Sequence, residues 1–274
     1  MKASRRRRAL GQHWLVSPRY LERIAAAVGL GPDDTVVEVG PGTGNLTRRL
    51  LRHASRLVAV EVDETLAEAL PSRLGEPANL VVVAGDVLRM PPAELLALAG
   101  GGPPYVVVGN LPFSVGTAVV RHFLRAQPPP RRLVVTLQRE VAEAVAAPPG
   151  RMTFLSVEMQ LLAEPQLLFI VPPGAFRPPP KVYSGVVRLD VRDGPAVAVD
   201  DVDSFLETVK AGFAAPRKQL RNSLAIGMSL APQQAAEIIA RAGLDPERRP
   251  GTLDLEEWAR LHASVVACGA PART

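Results

Sequence analysis

The chain has 274 residues, 47% of them hydrophobic and 22% charged, which excludes a disordered chain and suits two domains, or one large one with an appendage. A single cysteine, Cys268, excludes an intramolecular disulfide framework and a thiolate zinc cage. Lys and Arg exceed Asp and Glu by 32 to 27, but Lys2, Arg5, Arg6, Arg7 and Arg8 supply the whole excess. A basic tail on a neutral body is a weaker nucleic-acid signal than a basic body, and the tail reads either as a phosphate contact or as a solvated start.

In chain order, the tail leads into Ala9–Gln12 with no apolar signal core, and no later apolar run spans a bilayer. A cytoplasmic protein without membrane association is therefore expected. Pro18–Val28 reads as a short amphipathic helix. Then come strands at Thr35–Val39, Leu57–Val62, Leu80–Ala84, Tyr105–Gly109, Leu133–Leu137, Leu167–Val171 and Gly185–Val191. The early ones are nearly continuous Val/Leu runs, as parallel strands covered on both faces require. Helical patterns at Leu46–His53, Thr65–Leu74, Gly116–Arg125 and Arg139–Ala147 lie between them. Such repeated βα units predict an α/β, doubly wound, Rossmann-like sheet with ligands at the carboxyl ends of its strands. After Asp193-Gly194-Pro195 the β-type runs stop, and Val202–Ala214, Leu220–Ala225, Pro232–Ala242 and Leu255–Cys268 are helical. The expected organisation is a tail over 1–9, a catalytic domain over 10–195 and a small all-helical domain over 196–274.

The strongest local signal is Glu38-Val39-Gly40-Pro41-Gly42-Thr43-Gly44, after a strand and before a helix. Glycines there let backbone amides approach a ligand at a helix start. Glu61 closes the second strand 21 residues past Gly40, where a carboxylate holds ribose hydroxyls. These features fit a nicotinamide or an S-adenosylmethionine (SAM) enzyme. Three details favour SAM. Asn45 replaces the third glycine of G-x-G-x-x-G, and Glu38 suits a methionine ammonium better than a pyrophosphate. Asp86, after the third strand, offers an acceptor to an adenine amine.

Asn110-Leu111-Pro112-Phe113 follows the fourth strand. An aromatic exocyclic amine is a poor nucleophile because its lone pair is delocalised into the ring. The Asn110 amide oxygen and a backbone carbonyl of the Leu111-Pro112 pair can accept its two N–H bonds and stabilise the charge that develops. Phe113 offers a face on which an extruded base stacks. No metal or catalytic base is required.

These residues resemble the ribosomal RNA adenine N6,N6-dimethyltransferase family, whose small-subunit members modify two adjacent adenosines near the 3′ end of 16S rRNA. The likeness runs from about Leu10 to Leu261 and includes residues 11–15, Glu38–Gly44, Glu61, Gly85-Asp86, Asn110–Phe113, residues 138–142, Phe176–Val182 and Arg217–Leu224. It implies a monomer that uses SAM and acts on the small ribosomal subunit, with His13, Leu15, Gly40, Glu61, Asp86 and Asn110 lining the SAM pocket and Gly42 in its loop. Asn-Phe is usual at His13-Trp14, and Tyr at Phe113. Phe there also occurs in the erythromycin-resistance enzymes of large-subunit rRNA.

Arg217 and Arg221 have the spacing of one helix face, with Lys218 adjacent; they are read as a solvated helix start or, by the resemblance, as rRNA phosphate contacts. Phe176, in a Pro-rich loop, either covers the second face of the target adenine or packs in the core. Trp258 and Leu261 have core spacing, and His53, His122 and His262 show no ligand pattern. The competing functions are a large-subunit methyltransferase and a non-catalytic RNA- or polymerase-binding relative.

Overall fold

The structure, a computed structural model, describes residues 13–31 and 33–269. It divides into two compact units, one ending at Glu143 and resuming over Pro165–Val191, the other made of Ala144–Glu164 and the residues from Arg192 onward.

The first unit is built on a seven-stranded sheet. Its strands include β2 (Thr35–Val39), β3 (Arg56–Glu61), β4 (Leu80–Ala84), β5 (Tyr105–Asn110) and β6 (Arg132–Gln138), preceded by the two-residue β1 (Trp14–Leu15). Next come β7 (Ala163–Val171), β8 (Phe176–Arg177) and β9 (Ser184–Val191). The sheet order is β4-β3-β2-β5-β6-β9-β7. Strands β2 to β6 pair in parallel, and β9 runs antiparallel to β6. Every residue of β2 is buried, which accounts for its unbroken apolar reading. The chain lays β3 and β4 on one side of β2 and returns to place β5 on the other. The carboxyl ends of β2 and β5 thus flank the switch point, where a doubly wound sheet leaves a crevice. Helix α1 (Pro18–Val28) starts on Pro18, ends on left-handed Gly29 and buries Leu21, Ile24 and Val28.

Outside the main sheet, β1 pairs antiparallel with β8, Trp14 opposite Arg177 and Leu15 opposite Phe176. Val16 and Ser17 both donate to the Ala175 carbonyl. Phe176, expected in a loop, is therefore a strand residue, 1% exposed.

The second unit differs from the expected 196–274. Helix Phe154–Leu162, capped by Thr153 and Ser156, buries Val157 and Leu161 in one core with Phe205, Leu224, Trp258 and Leu261. That shared core is why residues 144–164 group with the helices rather than with the sheet. Asp201 caps helix Val202–Gly212, Pro232 opens Pro232–Arg241, and Asp254 with Glu257 forms a capping box on Leu255–Ala267. Trp258 is fully buried, so its helical spacing marks core. His262 is buried too, its Nδ1 2.9 Å from Thr208 Oγ1.

Candidate functional site

At the switch point lies a cavity of about 320 Å³. The end of β2 contributes Val39, the glycine loop Gly40 and Gly42, and the end of β3 Glu61; the loop after β4 contributes Gly85 and Asp86; the last residue of β5 and the loop after it contribute Asn110 to Val115. Residues His13, Trp14 and Phe176, from β1, its lead-in and β8, complete the lining.

Glu61 is 3% exposed. Gly42 N–H donates to its Oε2 at 3.0 Å and Asp63 N–H to its Oε1 at 3.1 Å. Burial raises its pKa, and these backbone donors oppose the rise. The Gly42 turn needs glycine twice over, because φ is +57° and an added Cβ would sit 2.9 Å from the Trp14 ring. At Gly40 φ is +69° and the Cβ position is open space, so backbone is presented directly to the cavity. Asp86 accepts from Leu88 N–H, and an apolar wall of Val62, Val87 and Leu88 stands beside it.

Asn110 Nδ2 donates to the His13 carbonyl at 2.8 Å. A carbonyl only accepts, so this bond fixes the amide's orientation and leaves Oδ1 as the acceptor to offer elsewhere. The Pro112 carbonyl takes Val115 N–H and Gly116 N–H, both at 3.1 Å, starting helix Gly116–Leu124. It is already committed to the turn. The His13 ring lies 6.0 Å from the Phe113 ring, and its Nδ1 is 2.8 Å from the Pro178 carbonyl, which requires Nδ1 to carry the proton. Leu111 is 2% exposed, at the cavity wall.

Two expected cofactor residues fall elsewhere. Leu15 and Glu38 do not line this cavity. Leu15 packs in the core, because side chains alternate along β1 and Trp14 takes the cavity side. Both residues line a small cleft of about 20 Å³, to which Trp14, Gly40 and Asn110 also contribute. Glu38 is 1% exposed, with Oε2 lacking any hydrogen-bond partner. Burial pushes its pKa up to about 8, the Glu61 charge adds to the rise, and Thr47 opposes it. The folded state thus holds a proton that the unfolded chain releases near the ordinary 4.5. This contribution to stability is complete below that value and is lost as pH rises through about 8. Between about pH 5.5 and 8.5 the Tm of the ligand-free protein should fall more steeply than that of Glu38→Gln. Parallel Tm profiles in scanning calorimetry would remove Glu38 as the source.

A family model described as "Ribosomal RNA adenine dimethylase" matches residues 3–265. The chain belongs to the ribosomal RNA adenine dimethylase family. Among its relatives, the "Ribosomal RNA small subunit methyltransferase A" of Geobacter metallireducens is 41% identical, with 97% of each chain covered. The protein of that name from Dehalococcoides mccartyi strain 195 is 39% identical over 94% of this chain and 87% of its own length. Among solved structures, a dimethyladenosine transferase from Plasmodium falciparum matches the fold at TM-score 0.78 and 22% identity, covering 94% of this chain and 99% of that one. The 23S rRNA methyltransferase ErmE matches at TM-score 0.72 and 28% identity, covering 92% and 99%.

The cationic cluster is not the helix face that its spacing suggested. Helix Leu220–Met228 begins only after Gln219, and Arg217 and Lys218 sit in the preceding turn. Pro216 lies in that turn, which is closed by Lys218 N–H to the Ala215 carbonyl and by Ala215 N–H to Ser223 Oγ. Arg217 and Lys218 are exposed, and Arg221 is 3.6 Å from Glu247. Arg5–Arg8 and Gly11-Gln12 lie outside the described residues. Trp14 and Val62 were missed as cavity residues; the glycine at 42, which leaves room for an indole, was the available signal for Trp14. Among the described residues no cluster of His, Cys, Asp and Glu is arranged to hold a metal, and no helix is long and apolar enough to cross a membrane.

Proposed function

We infer that this protein is a SAM-dependent methyltransferase that dimethylates adenines of small-subunit 16S rRNA. The observation that carries the reading is the crevice at the β2/β5 switch point, bordered by Gly40, Glu61 and Asn110. The residues fit the cofactor. Glu61 would hold a ribose, Asp86 with the Val62–Leu88 wall an adenine, and the unpartnered Glu38 Oε2, at the small cleft, a methionine ammonium. When bound, SAM supplies a sulfonium-activated methyl group.

This chain's residues then have only to hold the acceptor. Phe113 and Phe176, both in the cavity lining, flank the extruded adenine. Asn110 Oδ1 accepts one N–H of its amine. The Leu111 carbonyl takes the other, since Pro112's is used in the turn. Both oxygens favour a pyramidal nitrogen and stabilise its growing positive charge. Transfer of labelled methyl from SAM to unmethylated 30S particles, followed by nucleoside analysis, tests the function; absence of N6,N6-dimethyladenosine refutes it. The likeness to ErmE supports a second reading, methylation of large-subunit rRNA, which site mapping separates. The relatives at 39–41% identity over nearly the whole chain favour the small subunit.

Substrate affinity on a nearly neutral body must come from local clusters. Neutralising Arg217, Lys218 and Arg221 together should weaken 30S binding and flatten log K against log[salt] by roughly 0.7 per lost contact to single strands, or 0.9 to duplex. SAM affinity should stay unchanged. A wild-type salt slope in the triple variant would make the cluster a solvated surface.

A further inference from the structure

Among the described Phe, Tyr and Trp residues one aromatic side chain is exposed. Tyr105 is fully buried and Tyr20 stacks on Phe169 at 6.2 Å, but Tyr183 is 50% exposed, beside Val182 at 41%. Among the described residues no other ring lies against Tyr183. Its backbone is nonetheless fixed. The Tyr183 carbonyl accepts Arg139 N–H at 3.0 Å, and the next residue, Ser184, pairs with Gln138 at the end of β6. Upstream, Pro178-Pro179-Pro180 stiffens the loop, and Pro178 is tied to His13 at the cavity.

Sheet register locates the ring relative to the cavity. Asn110 pairs with Thr136, and Thr136 with Val186. Tyr183, three residues before Val186, therefore lies two strands across and three residues further toward the carboxyl edge, roughly 10–15 Å from Asn110. Two exposed cationic residues neighbour it. Lys181 is two residues away, and Arg139, whose N–H meets the Tyr183 carbonyl, carries an exposed guanidinium. Glu143, 2.7 Å from Arg139 Nε, is that guanidinium's carboxylate partner.

An exposed ring with two exposed cationic neighbours, on a stiff loop continuous with the cavity rim, has the chemistry of a single-strand nucleic-acid platform: a sequence-tolerant face for a base and charges for its phosphates. We propose that Tyr183, with Arg139 and Lys181, forms a subsite for the single-stranded RNA flanking the target adenine. The ring stacks on a neighbouring base, and the two cations take adjacent phosphates. This rests on the function proposed above.

The test compares wild type, Tyr183→Ala, Tyr183→Phe and Arg139→Gln in methylation of unmethylated 30S particles. A protein-free oligoribonucleotide with two adjacent adenines serves as the binding probe in parallel. Tyr183→Ala should raise the KM for 30S and the oligonucleotide Kd about tenfold, leaving kcat and SAM affinity unchanged, with Tyr183→Phe behaving as wild type. Arg139→Gln should flatten the salt slope by about 0.7, while Tyr183→Ala leaves it alone. An unchanged KM in Tyr183→Ala overturns the subsite, as does an equal loss of SAM affinity, which marks a structural role. A deficit on 30S but not on the oligonucleotide also overturns it, because the patch then meets a ribosomal protein. If wild type transfers no methyl to 30S, the function fails instead, and oligonucleotide binding still decides the subsite.

Discussion

Asn110→Ala is expected to cut single-turnover methyl transfer by about a hundredfold or more while SAM still binds, the scale for losing one oriented polar group at a reacting centre. The expectation depends on how the amide is held. Its nitrogen is engaged by the His13 carbonyl at 2.8 Å, so its oxygen is set before any substrate arrives. Alanine removes the acceptor and that tether together. The tether is a neutral hydrogen bond, worth about 0.5–1.5 kcal/mol, and its loss bears on the strap formed by His13 and Trp14, which also borders the cofactor cavity. Damage through the strap would therefore reach SAM affinity, whereas damage through the acceptor would not. Calorimetric SAM affinity beside single-turnover rates at saturating 30S separates the two. Near-normal rates would sink the role of Asn110 as amine acceptor, and a Kd that rises in proportion to the rate loss would reassign the residue to holding the strap.

The parts of this architecture that were legible before the structure are those written in long runs. Val-rich β2, β3 and β5 announce parallel strands because both faces are covered, and the Gly40–Gly44 turn announces a ligand loop because it falls between strand and helix. Elements of two residues carry no periodicity, so the β1–β8 ladder was invisible, and with it the reason why Phe176 is both buried and at the cavity. The helix Phe154–Leu162 is apolar over most of its length, and such a run does not state which core it joins. Spacing also misled at Arg217 and Arg221, since an i, i+4 relation defines a shared face only inside a helix, and Ser223 closes a turn ahead of it. Glu38 was recognisable as a carboxylate of the glycine loop, but its burial away from the larger cavity depends on the packing of residues distant in the chain.

Glu61→Ala is expected to weaken SAM binding tenfold or more, because a buried carboxylate's hydrogen bonds to a ribose are worth about 1.5–3 kcal/mol. Each oxygen already accepts one backbone N–H, from Gly42 and from Asp63, and a carboxylate oxygen has a second lone pair to offer a hydroxyl. The same two bonds complicate the variant. Alanine leaves both N–H groups without their acceptor at a buried position, so the turn that positions Gly42 loosens and the protein loses about 1–3 kcal/mol of stability. A lower SAM affinity alone is therefore ambiguous between a lost ribose contact and a displaced glycine loop. Paired ligands resolve it. For an adenosine analogue lacking the 2′ and 3′ hydroxyls, wild type and Glu61→Ala should bind alike, because the carboxylate has nothing to accept from. For the intact adenosine portion, the variant should lose the full tenfold. Equal losses for both ligands would place the effect in the loop geometry, and Glu61 would then be a residue that shapes the cavity without touching the cofactor.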